Sequence, residues 1–280
     1  MSPDDAERKK QSTAGVFDRA APTYGQVGPA VFAHFGRRLA VLAQIMPGAQ
    51  VLDVAAGRGA LLFPAAEAAG AQGRVVGVDL SVQMVRELSA ELAQSGVANA
   101  EARQMDAESL QFPDASFDRV LCGMSLFLFP HPERALAEFH RVLKPGGRAA
   151  ISTLGKLFHA QWQWFDELVA AYLPPAPPSD ATATAYDKPE QLVSALRASG
   201  FADVSTFVES AEFVYADAEE WWASLWSHGA RAALEAVEHA KGAEGLAHFR
   251  ADAFAHVQAH SKEDGFHFPM DALCAIALKL

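Results

Sequence analysis

Between residues 50 and 153 the hydrophobic positions follow two alternating patterns. Short runs rich in Val, Leu and Ala fall at 49–56, 73–80, 116–127 and 148–154, with a weaker one at 100–106. Between them, at 59–70, 81–96 and 131–147, apolar residues recur at helical spacing. The first pattern predicts strands buried on both faces and the second predicts amphipathic helices. Together they predict a parallel sheet covered on both sides. Ser81 predicts an N-cap, Gly70 and Gly96 predict helix ends, and Lys-Pro-Gly-Gly at 144–147 predicts a closing turn. Pro64 is tolerable because it falls near a helix start.

After residue 153 the pattern changes. Residues 157–173 predict an aromatic amphipathic helix, and 174–189 a mobile Pro/Ser/Thr loop. A helix is predicted at 189–200, a sixth strand at 201–210, two helices at 217–240 and 243–261, and a last strand at 271–280. The first dozen residues, with the Pro-rich loop, are expected to be poorly ordered without substrate. No internal repeat is visible.

Half of the 280 residues are hydrophobic, enough for a full core, and the formal net charge is -11. Acidity argues against DNA or RNA as the main partner, because phosphate binding needs a basic face. The polar N-terminal stretch lacks the apolar segment of a secretory signal, and no run approaches a membrane span. Cys122 and Cys274 lack metal-ligand spacing and sit in apolar segments, which suits free thiols in a reducing compartment. A soluble cytoplasmic protein is expected.

Candidate chemistry begins at "VLDVAAGRGALLF", residues 51–63. Its glycines, Gly57 and Gly59, fall where a strand gives way to a helix, at the carboxyl edge that binds ligands in parallel sheets. A dinucleotide fingerprint wants a third glycine, but Leu62 stands there. Asp53 precedes the glycines, where it would repel a pyrophosphate and welcome an ammonium or sulfonium. Asp79 ends the second strand, placed to accept from both hydroxyls of a ribose, although it also suits a helix cap. Asp106 and Ala107 end the third, where a carboxylate and a backbone N–H suit an adenine edge. Asp118 is expected to order a strand entry.

These segments resemble the class I S-adenosylmethionine-dependent methyltransferases, with the closest likeness to the small-molecule branch of the ubiquinone and menaquinone C-methyltransferases. "VLDVAAGRG", "VVGVDLS", "MDAESLQFPDASFD" and "EFHRVLKPGG" occur in the family's order and spacing. They cover about half of the chain, and "VFDRAAPTY" at 16–24 is similar to that branch's lid. The resemblance implies an α/β Rossmann-like fold in one domain, with a seven-stranded, mostly parallel sheet in order 3-2-1-4-5-7-6. It implies that Asp53, Ala55, Gly57 and Gly59 wrap the methionine end of S-adenosylmethionine. Asp79 would hold the ribose, Leu80 would pack beside the adenine, and Asp106 and Ala107 would read its edge. Cys122 and Gly123 would close the floor, and Tyr24 would cover the methionine carboxylate. Within the domain, 1–46 reads as a helical lid, 47–155 as the cofactor core and 156–280 as a substrate-side half. That half carries a helical insertion at 213–264.

Methyl transfer needs alignment, exclusion of water and, for some acceptors, a base. Base candidates are His34 and His159, with His131 better read as a helix cap and His228 as a satisfied or solvated helix residue. Trp162, Trp164, Trp221, Trp222 and Trp226 lie outside the cofactor half and suit either core or a lid over an apolar substrate. No metal-binding trio is evident. The place after the fourth strand reads "CGMSLF", without the Asn/Asp-Pro-Pro-aromatic signal of nucleic-acid amino methyltransferases. The expected activity is methyl transfer to an apolar or aromatic small molecule, a specialised metabolite, at oxygen, nitrogen or carbon. A quinone-ring carbon is the nearest alternative. An NAD(P)-dependent oxidoreductase and a binding protein without turnover are the others.

Overall fold

The computed structural model describes residues 2–174 and 186–280. The stretch expected to be a mobile Pro-rich loop lies for the most part outside them. Helices α1 (Pro3–Ala20) and α2 (Val31–Leu42) precede the sheet. Then β1 (Gln50–Val54), α3 (Leu62–Ala69), β2 (Arg74–Asp79), α4 (Val82–Ser95), β3 (Ala100–Gln104) and β4 (Phe117–Gly123) follow. Next come α5 (Pro132–Val142), β5 (Leu143–Leu154), α6 (Lys156–Tyr172), α7 (Pro189–Ala198) and β6 (Ala202–Tyr215). Helices α8 (Ala218–Trp226) and α9 (Arg231–His260) lead to β7 (Phe266–Leu278).

The seven strands form one sheet in the order 3-2-1-4-5-7-6. All pairings from β3 to β5 are parallel, while β7 runs antiparallel to both β5 and β6. Successive residues of β1 face opposite cores, as the two-residue period of a strand requires. Val51 joins one core with Phe35, Leu62, Leu88, Phe165, Trp221 and Phe249. Leu52 and Val54 join the other with Phe139 and Leu192. The near-continuous burial of β1 and β2 thus reflects helices on both faces.

Local signals explain several boundaries. Ser81 caps α4 by accepting from the Met84 N–H, and Gly96 ends it in the left-handed conformation. Asp217 accepts from the Glu220 N–H while the Glu220 carboxylate accepts from the Ala216 N–H, a reciprocal cap that starts α8.

Four expectations need correction. The chain is helical from Pro3 onward, because Ser2 caps α1 and Asp4 and Asp5 favour its first turn. Helix α5 stops at Val142, and Leu143–Gly147 already belongs to β5 as a bulge. Pro145, lacking an N–H, cannot extend the helix. The helix predicted at 217–240 breaks between Trp226 and Arg231, while the boundary predicted near Gly242 is a kink within α9. Strands β6 and β7 extend to Tyr215 and back to Phe266, so the intervening helices lie inside the expected 213–264 insertion.

The tryptophans pack that insertion. Trp221 is fully buried, with ring centroids 5.6 Å from Trp164 and 6.0 Å from Phe165, and Trp222 lies 6.1 Å from Phe249. Arg19 of α1 reaches Glu235 of α9 with its Nε at 2.7 Å, tying the insertion to the N-terminal helix.

Candidate cofactor and active site

The carboxyl ends of β1, β2, β3 and β4 open on a cleft. Its floor comes from the loop after β1. Ala55, Gly57 and Gly59 there have φ of 56°, 53° and 86°, which turns the chain sharply away from the strand. A β-carbon at position 59 would stand 2.7 Å from Leu88 Cδ1 and 2.9 Å from Phe63 Cε2. Gly59 therefore lets α3 and α4 close behind the loop, and it does not itself line the cleft.

Asp79 braces this loop. Its Oδ2 accepts from the Gly57 N–H and its Oδ1 from the Ser81 N–H, both at 2.9 Å. Each oxygen keeps acceptor capacity for a hydroxyl. Burial raises the Asp79 pKa, against the pull of these two N–H groups. Asp106 is built alike, with Oδ1 accepting from the Glu108 N–H at 2.9 Å. Leu80, Ala107 and Gly123 complete this part of the lining.

A second, smaller cavity shares Tyr24, Ala55, Gly57, Gly123 and Met124 with the first. Phe32, Phe35, Asp53 and Ser152 also line it. Tyr24 stands at the partition, stacked on Phe32 with centroids 4.8 Å apart. Asp53 is buried to 1 % exposure, and its Oδ2 has no hydrogen-bond partner among the described residues. Burial, reinforced by the nearby Asp79 charge, raises its pKa well above the usual carboxylate range. A buried acceptor without a donor is costly, and a cationic ligand relieves it.

The N-terminal segment roofs the first cavity. Lys10, Thr13, Ala14 and Phe17 recur at i, i+3, i+4 and i+7 of α1 and all face the cleft. Each of the three ligand loops holds one tether to this segment. Arg58, in the glycine loop, donates to the carbonyls of Ala21 and Pro22 at 3.0 and 2.9 Å and pairs with Glu91. Asp18 accepts from Ser81 Oγ at 2.5 Å and from the Gln83 N–H at 3.0 Å. Lys10 reaches Asp106. Lys10, Asp18, Arg58 and Phe32 were not singled out from the sequence. The helical repeat of the α1 face was the one signal available for any of them.

Of the site residues expected from sequence, Tyr24, Ala55, Gly57, Asp79, Leu80, Asp106, Ala107 and Gly123 line the larger cleft, and Asp53 lines the smaller cavity. The Cys122 side chain lies beneath the floor, with Sγ 3.1 Å from Ser125 Oγ, and burial pushes its thiol up to about 12. Neither His34 nor His159 lines either of these two cavities. His34 is exposed on α2, edge-on to Phe213 at 5.6 Å, and His159 sits on α6 beside Phe158. His131 occupies the N-cap of α5 without a side-chain capping bond, its ring facing Glu133. His228 packs edge-on to Phe32 and accepts from the Ala230 N–H, and burial lowers its pKa to about 4. None of the five tryptophans lines either cavity, so they act as core. Asp118 does order the entry to β1, accepting from the Gln50 N–H at 2.8 Å.

A sheet of this order, with carboxylates at the ends of three strands around a glycine loop, defines a nucleoside-binding methyltransferase fold. A sequence profile of the family described as "methyltransferase domain" matches residues 51–147. Nocamycin O-methyltransferase of Saccharothrix syringae is 35% identical over 253 residues, covering 86% of this chain and 90% of the relative. Aklanonic acid methyltransferase of Streptomyces sp. (strain C5) is 40% identical over 149 residues, covering 53% and 67%. A ubiquinone/menaquinone biosynthesis C-methyltransferase of Burkholderia mallei is 35% identical over 170 residues, covering 59% and 70%. The chain belongs to the S-adenosylmethionine-dependent methyltransferases. That membership displaces the oxidoreductase alternative. The orphaned Asp53 oxygen fits the cofactor's cationic methionine end, and Asp79 fits its ribose. Among the described residues no helix is long and apolar enough to cross a membrane, and no group of His, Cys, Asp and Glu side chains is arranged to hold a metal ion.

Proposed function

We propose that this methyltransferase acts at an oxygen of a small apolar or aromatic molecule, a specialised metabolite. The observation that carries this reading is the second cavity, which the aromatic side chains of Tyr24, Phe32 and Phe35 line together with the orphaned Asp53 carboxylate. The relatives named for nocamycin and aklanonic acid support a small-molecule acceptor, and the first is an O-methyltransferase.

S-adenosylmethionine, when bound, supplies a methyl group activated by its sulfonium. Asp53 binds the positive charge at the methionine end, Asp79 orients the ribose and Asp106 the base. Tyr24 and the α1 face exclude water, which strengthens each of these contacts. Phe32, Phe35 and Met124 offer an apolar wall against which an acceptor is held in line with the methyl. In this reading alignment supplies most of the rate, because the leaving group is already good and no histidine reaches the cavities.

In the same reading, residues 1–46 close the cofactor cleft, 47–155 bind the cofactor, and 156–280 support the acceptor side. The buried free thiols of Cys122 and Cys274 support a cytoplasmic setting.

Purified protein incubated with methyl-labelled cofactor and a panel of phenols, carboxylic acids and quinols tests the reading. Label on an oxygen of a small apolar acceptor is expected. Label confined to a quinol ring carbon would select the C-methyl alternative, and label confined to protein or RNA would end the proposal.

A further inference from the structure

The ammonium of Lys10 lies 2.7 Å from Asp106 Oδ2 and 2.7 Å from Glu108 Oε2, with its side chain only 14% exposed. It comes from the roofing helix, while both carboxylates come from the loop after β3 and line the same cleft. The Glu108 side chain is 4% exposed, and its Oε1 accepts from the backbone N–H of His131 at 2.8 Å. Asp106 is thus held from two sides, by the Glu108 N–H on Oδ1 and by Lys10 on Oδ2. Without Lys10 two carboxylates would share one side of the cleft, and Asp106 would be free to turn towards water.

We propose that Lys10 is a cofactor-positioning residue, which fixes Asp106 to accept from the adenine amino group and so makes closure of α1 and recognition of the base one event. The inference rests on the assignment of Asp106 to the adenine edge. A carboxylate already pinned by a lysine loses little freedom when a further donor arrives, which is the physical content of preorganisation. Burial works against the Lys10 charge, but the facing carboxylates of Asp106 and Glu108 outweigh burial and raise its pKa. The ammonium therefore stays charged at neutral pH.

The test compares binding of S-adenosylhomocysteine and of its inosine counterpart, in which oxygen replaces the adenine amino group, to full-length wild type, Lys10→Met and Lys10→Arg by calorimetry. The wild type is expected to prefer the adenosyl ligand. Lys10→Met is expected to bind it roughly tenfold more weakly and to lose most of the preference, because a charge-assisted hydrogen bond no longer holds Asp106. Lys10→Arg restores both. A purely structural lysine would weaken both ligands equally. Unchanged preference in a folded Lys10→Met protein, or tighter adenosyl binding, overturns the inference alone. Should Lys10→Met unfold, Glu108→Gln carries the same expectation of reduced preference. No binding of either ligand by the wild type overturns the inference and the site assignment together.

Discussion

Gly36 of α2 lies so close to Ala60 of the glycine loop that a β-carbon at position 36 would stand 2.4 Å from the Ala60 carbonyl oxygen. The obstacle is backbone, so it cannot move aside as a side chain would. Gly36→Ala is expected to lift α2 from the loop and to destabilise the protein by about 1–3 kcal/mol, the cost of overpacking a filled site. Thermal melts check the stability. Calorimetry with S-adenosylhomocysteine is expected to show weaker binding, because the displaced loop lines both cavities.

Asp53→Asn separates stability from binding. The raised pKa of Asp53 means that the ligand-free folded state holds its proton more tightly than the unfolded chain. That contribution is complete below about pH 4, the unfolded value, and is lost as pH rises through the folded pKa. Asn has no charge to bury, so the variant is expected to match wild type near pH 4 and to melt higher at neutral pH. Cofactor affinity should fall by about 10- to 100-fold, the worth of a charge-assisted hydrogen bond. A lower melting temperature at neutral pH would contradict the cost assigned to the orphaned oxygen.

Arg58 holds the turn that presents Tyr24. Arg58→Met removes its bonds to the carbonyls of Ala21 and Pro22. Amide exchange is expected to quicken through the second half of α1 and as far as Gln26, with β1, β2 and β4 unchanged. Equal loosening of the sheet would show that Arg58 acts on the whole fold.

His34→Ala and His159→Ala are expected to keep turnover within about threefold of wild type, less than 1 kcal/mol on the barrier. Steady-state rates with the acceptor found in the screen provide the measurement. A loss of about 100-fold at either would place that histidine at the acceptor in the working complex.

The cofactor core was legible in the sequence because its determinants are local. The run around Asp53, the end of a strand at Asp79 and the step at Asp106 each lie within a few residues of the backbone they serve. Sheet order came from the resemblance, since parallel pairing of β1 with both β2 and β4 leaves no short-range mark. The tethers of the roof were hidden for a different reason. Lys10 meets Asp106 across 96 positions and Asp18 meets Ser81 across 63, and an exposed-looking polar helix gives no sign of such partners. His34 lies on the helix next to the lid and His159 just past β5, but neither lines the two cavities, and a list of residues does not fix which face of a helix a side chain occupies. The tryptophans suited core and lid alike, because both select large rings, and the structure uses them as core.

Strand β7 follows β6 in sequence yet lies between β5 and β6 in the sheet. During synthesis, a nascent chain that has exposed everything up to His260 still has no bridge from β5 to β6. Its outermost strand must wait, unpaired, while the cofactor-binding half is already able to form. Early docking of ligand on the ribosome is therefore compatible with the topology, whereas the aromatic insertion gains its backing from Phe266 and Phe268 only when the final hairpin partner arrives.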